Sequence, residues 1–166
     1  MTDATRNGPL PADEALKLDN QLCFPLYAAS RLLTRLYKPH LEPLGLTYPQ
    51  YIVLMILWEE APCPVKTVGR RAILNTNTLT PLLKRLEQLS LIRRQRCEGD
   101  ERQVMLALTE QGEALRERCA CIPTALLEVS ELPLETLLSL RDSLKVVLPS
   151  LEQALANQQA QAAQQE

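Results

Sequence analysis

The chain has little of what builds sheets. Among 166 residues there are one Phe, one Trp and five Gly. So few aromatics and glycines argue against a β-sandwich or barrel and favour helices. There is one His and no Cys-x-x-Cys pair, a poor start for a zinc site, and no metal or organic cofactor is expected. The five cysteines, Cys23, Cys63, Cys97, Cys119 and Cys121, are odd in number and lack framework spacing. They read as reduced thiols of a cytoplasmic protein, at least one of them open to chemistry. Long apolar runs are missing too. The longest, Tyr51 to Trp58, has eight residues, against about 20 for a membrane span. Asp3, Arg6, Asp13 and Glu14 near the start exclude a signal peptide. A soluble, cytoplasmic chain without a membrane partner is expected.

What is present is leucine. It accounts for 34 residues in a chain that is 46% hydrophobic, enough for one domain with helical extensions. The net charge of −2 hides an uneven distribution. Residues 66–102 hold nine Lys/Arg and four acids, a local +5, and the remainder carries 9 − 16 = −7. A basic module between acidic flanks is the footprint of a DNA reader.

Residues 1–15 are polar, with Pro9 and Pro11, and read as a flexible arm. A helix comes next, capped at Asp19, with Leu22, Leu26, Ala29, Leu33 and Leu36 on one face and an end at Pro39 and Pro43. Thr47-Tyr48-Pro49-Gln50 is a capping box that opens a helix to about Glu59. Short helices are predicted at about 65–73 and 77–89. Residues 92–96 and 103–108 flank a turn, and in the second run Val104, Leu106 and Leu108 alternate at period two, which predicts a two-stranded hairpin. A long helix after Thr109 carries Leu115, Cys119, Ile122, Leu126 and Val129. A last helix from Pro133 carries Leu137, Leu144 and Leu151, with a kink or end at Pro149 and a low-complexity tail at 157–166.

Two helices ahead of a hairpin make a winged helix-turn-helix. The fold class is mainly α with a small β-wing. A single domain over 16–156 is expected, with a DNA-binding lobe at about 62–108. Helices at about 16–40 and 109–156 carry more apolar face than one small module needs, which predicts a homodimer. Leu79, Leu82, Leu83 and Leu86 form the buried stripe of the second helix of the motif. Thr76, Asn77, Thr78 and Thr80 gather at its start, where short polar groups reach base edges, and Lys84 and Arg85 add charge a turn later. Pro81 places the cap of this helix at Asn77 or slightly before. Arg94, on the first strand of the hairpin, is a further expected DNA contact. At the tip, Asp100 orients Arg102 outward toward a minor groove. The expected partner is double-stranded DNA with a pseudo-palindromic operator.

The hairpin tip, its second strand and the start of the next helix, Asp100-x-Arg102-x-x-x-Leu106-x-Leu108-Thr109-x-x-Gly112, resemble the wing signature of the MarR family of transcriptional regulators. Leu18 to Phe24, Leu36-Tyr37-Lys38-Pro39, Leu44 to Tyr51 and Thr78 to Glu87 are similar to its organic-hydroperoxide-sensing branch. The resemblance implies that Cys23 is the peroxide sensor and that Tyr37 and Tyr48 of the other subunit hydrogen-bond its sulfur. Fourteen residues of straight helix span about 21 Å, so Cys23 and Tyr37 meet only if two such helices cross antiparallel in a dimer. A hydroxyl donating to sulfur favours the thiolate. The branch also has two-cysteine members whose resolving Cys falls where this chain has Glu128. Cys121, seven residues earlier, and Cys119, on the apolar stripe, are the alternatives here.

The resulting expectation is a non-enzymatic repressor that releases its operator when an organic hydroperoxide oxidises Cys23. Two alternatives stand beside it: a MarR-type repressor released by a phenolic or apolar ligand without thiol chemistry, and a thiol peroxidase.

Overall fold

The computed structural model of the protein describes residues 11–97 and 100–164, the side chains of 97 and 100–102 excepted. The chain divides into two compact units, Met1–Ala120 and Cys121–Glu166. No helix among the described residues is long and apolar enough to cross a membrane.

In the first unit a short helix, α1 (Ala12–Ala15), and a 3-10 turn at Leu18–Asn20 precede α2 (Cys23–Leu41). The first ten residues of the expected arm lie outside the described residues. Asp19 does not cap α2. It belongs to the 3-10 turn, and the helix begins at Cys23 after Leu22. Pro25 therefore falls in the first turn, where no intrahelical amide is required. Pro39 lies inside the helix, two residues before its end. Gly45, with φ +70°, turns the chain back. Such a left-handed conformation favours glycine.

The capping box forms as the sequence predicts. Gln50 Oε1 accepts from the Thr47 amide at 2.8 Å and opens α3 (Tyr48–Glu60). This helix runs through the core, with Tyr51, Val53, Leu54, Ile56 and Leu57 buried. After it, β1 (Cys63–Pro64) leads into α4 (Val65–Ala72), and Ile73 (φ +54°) turns the chain toward α5 (Thr76–Gln88). The cap of α5 is Asn75, two residues ahead of Asn77, because its Oδ1 accepts from the Thr78 amide at 2.9 Å. Pro81 is then inside the helix and offers no amide to the carbonyl of Asn77.

β2 (Ile92–Cys97) and β3 (Asp100–Leu108) form the expected wing, but the sheet has three strands in the order β1-β3-β2. Cys63 pairs with Leu106 and Pro64 with Met105. Cys63 is thus a buried strand residue and not a loop residue. Two residues are too few to show a period, so this strand left no pattern to read.

α6 (Glu110–Cys119) starts at a junction of three elements. Thr109 Oγ1 donates to the Ser90 carbonyl at 2.6 Å and accepts from the Gly112 amide at 3.0 Å. The Trp58 indole donates to the Gly112 carbonyl at 2.9 Å. Gly112 lies so close to the preceding turn that an added Cβ would stand 2.0 Å from the Leu91 carbonyl oxygen.

The second unit holds α7 (Ile122–Ser130) and α8 (Leu134–Ala163). The single long helix expected after Thr109 is divided at 120–121, since Pro123 removes the amide that would bond the Cys119 carbonyl. Conversely, Pro149 does not end α8, which runs 30 residues to Ala163 and includes most of the expected tail. None of its residues is buried, and Leu134, Leu140, Val146, Leu151 and Leu155 are exposed.

The Gly112 contact is backbone against backbone and has no flexible side chain to give way. Gly112→Ala should cost about 3 kcal/mol or more of stability, read as a lower midpoint in urea unfolding. A midpoint equal to wild type would show that α6 can move off the Leu91 turn freely.

Candidate DNA interface and thiol sensor

One face of α5 is buried and the other is clear. Leu79, Leu83 and Leu86 are buried and Leu82 is half-buried, whereas Thr76, Asn77, Thr78, Thr80, Lys84 and Arg85 are all exposed. The predicted DNA-facing residues therefore share the solvent side of the second helix of a helix-turn-helix, the position from which such a helix enters a major groove. Within this set Thr80 Oγ1 donates to the Thr76 carbonyl at 2.7 Å, and its donor is committed to the helix.

The basic window is partly neutralised by acids inside it and just before it. Arg71 bonds Glu59 at 2.7 Å and Glu60 at 2.6 Å, across the α3–α4 contact. Arg94 of β2 donates through Nε to Glu87 of α5 at 2.8 Å. This hydrogen bond from Arg94 holds the Glu87 carboxyl below its ordinary pKa, against a smaller opposing effect of desolvation. Arg94 thereby ties the wing to the end of the recognition helix. The sequence pattern assigns Arg94 to DNA and gives no sign of Glu87 as its partner. A Glu seven residues before an Arg, across a helix–strand turn, is a tertiary pair with no local signature. Asn75 falls in the range expected for the cap, Asn77 or slightly before, and the strong N-cap preference of Asn could have singled it out. Asp100 and Arg102 lie on β3 at the tip of the wing, with side chains outside those described.

The thiol lies at the start of α2, and the two tyrosines meet near its far end. Cys23 is its first residue and is exposed. Tyr37 is 14 residues on, about 21 Å along the axis, and its ring lies 4.6 Å from that of Tyr48 at the start of α3. Tyr51 continues the row, 5.8 Å from Tyr37 and 6.2 Å from Trp58. Burial pushes the Tyr37 hydroxyl up from its ordinary pKa, with the neighbouring Tyr48 adding to the effect, and burial raises Tyr48 as well. Both phenols therefore stay protonated at neutral pH and keep a proton to donate. A cavity of about 460 Å³ opens beside Tyr48, lined by Thr34, Arg35, Lys38, Leu41 and Leu46 among others. Leu41 is the one buried residue of α2, and Phe24, Tyr27, Leu32 and Leu33 are exposed. Of the two thiols considered as resolving partners, Cys119 is buried in α6 and Cys121 is exposed.

The same architecture and much of the same sequence occur in known regulators. Residues 35–118 match the family model of the transcriptional regulator SarA/Rot. The organic hydroperoxide resistance transcriptional regulator of Bacillus subtilis is 48% identical over 138 residues, 83% of this chain and 94% of that one. Among solved structures, reduced AbfR bound to DNA superposes with a TM-score of 0.68 at 40% identity, covering 84% of this chain and 97% of that chain. The disulfide form of AbfR gives 0.55 at 39%, covering 82% and 96%. AbfR is a protein of Staphylococcus epidermidis. With the wing, the recognition helix and this extent of identity in place, the chain belongs to the MarR family of winged-helix transcriptional regulators, in the branch of the organic hydroperoxide resistance regulators.

Proposed function

We propose that the protein is a cytoplasmic homodimeric repressor that holds a pseudo-palindromic operator while reduced and releases it when an organic hydroperoxide oxidises Cys23. The observation that carries this reading is the 48% identity to a regulator named for organic hydroperoxide resistance. The positions of the thiol and the tyrosines supply the chemistry. A second copy crossing antiparallel brings Cys23 of one chain to Tyr37 and Tyr48 of the other, where two protonated phenols donate to the sulfur and favour its thiolate. The thiolate attacks the peroxide, an S–O bond forms and the O–O bond breaks. The alkoxide leaves and takes up a proton as the alcohol, and sulfur becomes sulfenic acid. The cavity beside Tyr48 accommodates the organic part of the substrate. Cys121, being exposed, is the better placed of the two thiols to resolve the sulfenate as a disulfide.

In this reading the lobe at about 62–108 binds DNA, with Arg102 and Asp100 at the minor groove and Arg94 braced beside the recognition helix. The flanking helices at about 16–40 and 109–156 cover their apolar faces against a second copy. Oxidation at the first residue of α2 disturbs that interface, and through it the spacing of the two recognition helices.

Mobility shift with and without an organic hydroperoxide tests the switch. Cys23→Ser should bind the operator and stay bound, because Ser lacks the nucleophile. Release like that of wild type would move sensing to another thiol. Tyr37→Phe and Tyr48→Phe should each slow oxidation at neutral pH by about ten-fold or more, the size of one lost charge-assisted hydrogen bond, while the affinity of the reduced protein stays the same.

Arg102→Ala should weaken operator binding and make its log–log salt dependence shallower by about one. An unchanged slope would remove the wing from the interface. Leu151→Glu puts a charge on the apolar face of α8, which should shift sedimentation toward monomer. A dimer as stable as wild type would mean that this face is not covered by a second chain.

A further inference from the structure

The start of α5 is crowded with polar side chains, and their hydrogen bonds sort them. Asn75 is committed to the cap, its Oδ1 accepting from the Thr78 amide. Thr80 is committed to the Thr76 carbonyl. Asn77, the second residue of α5, is exposed and its side chain makes no hydrogen bond among the described residues. It is the uncommitted amide of this turn, with one group that donates and one that accepts side by side. Adenine presents the complementary pair, N7 and N6, on its major-groove edge. The hydroxyls of Thr76 and Thr78 donate or accept equally and so discriminate little between bases. Lys84 and Arg85 stand seven and eight residues further along, about 10 Å down the axis, where charge serves the phosphates.

We infer that Asn77 is the residue of α5 that reads sequence, through a bidentate pairing with one adenine in each half-site. The inference rests on the DNA-binding part of the proposed function and adds the base and the residue that recognises it. Asn77 is exposed and stands on the face of α5 opposite the buried stripe of Leu79, Leu83 and Leu86. Its substitution therefore alters recognition without reaching the core.

Selection of binding sites from a randomised duplex library, with the full-length reduced protein, tests this. Wild type should select an A·T pair at one defined position of each half-site. Asn77→Ala should lose the preference at that position alone and bind the wild-type site roughly 5- to 150-fold more weakly, which is the 1–3 kcal/mol of one bidentate pair. Asn77→Asp accepts but cannot donate, and should shift the preference toward cytosine, whose N4 donates. Asp also suits the first turn of a helix, so this variant carries the test if Asn77→Ala does not fold. Asn77→Ala should lose far more affinity for the selected site than for random duplex, whereas Asn77→Asp, which brings a negative charge to the phosphates, should weaken random-duplex binding as well. A wild-type base profile at every position in the variants overturns the inference and leaves the repressor reading intact. A wild-type protein that selects no sequence overturns both.

Discussion

The contact between Gly112 and the Leu91 carbonyl is the constraint on which the DNA-binding unit depends. Because no side chain intervenes, α6 starts directly on the turn that joins the recognition helix to the wing. Thr109 closes the same point from the other side through Ser90, and Trp58 reaches it from the central helix. Four segments thus share one small volume: the core helix, the end of α5, the root of the wing and the start of α6. A displacement of any of them is felt by the other three, since packed interiors shift as units. The Leu-Thr-x-x-Gly part of the wing signature has a physical content here. Thr supplies the cap and the tie to Ser90, and Gly permits the approach.

Much of this is legible from residue types. The capping box at Thr47 and Gln50 has a local mechanism and forms where the pattern places it. Alternation over 103–108 predicts the wing, and the leucine stripe of α5 predicts which of its faces is clear. The features that are not legible require partners distant in the chain. β1 is a strand only because β3 offers Leu106 and Met105 opposite it. The break between α6 and α7 comes from Pro123, whereas Pro149, equally a proline, is carried inside α8. Nothing local distinguishes the two, because the loss of one amide is outweighed or not according to what the rest of the helix does.

The candidate site divides in the same way. The exposed polar start of α5 is a consequence of its periodicity, and six of the residues expected to face DNA do share one surface. Arg94 is legible as a cation and illegible as a tied one, because its partner Glu87 belongs to another element. The tyrosines show the reverse. Tyr37 and Tyr48 are eleven positions apart, yet a helix end, a turn and a helix start bring their rings to 4.6 Å. Tyrosine hydroxyls are protonated at neutral pH in any case, and burial raises both of these further.

The 19 residues of α2 also act as a ruler that separates a thiol from its would-be donors. If the donors that activate Cys23 come from another copy, no isolated chain is a competent detector. Responsiveness then rises and falls with protein concentration around the dissociation constant of the pair. Newly made, unassembled chains would then be insensitive to peroxide, and the alarm would be reserved for molecules already built to occupy an operator. A mixed pair with one serviceable thiol would still contain one complete detector, since each needs a sulfur from one chain and phenols from the other. On that proposal, sensing is a property of the interface, inherited by whatever two chains form it.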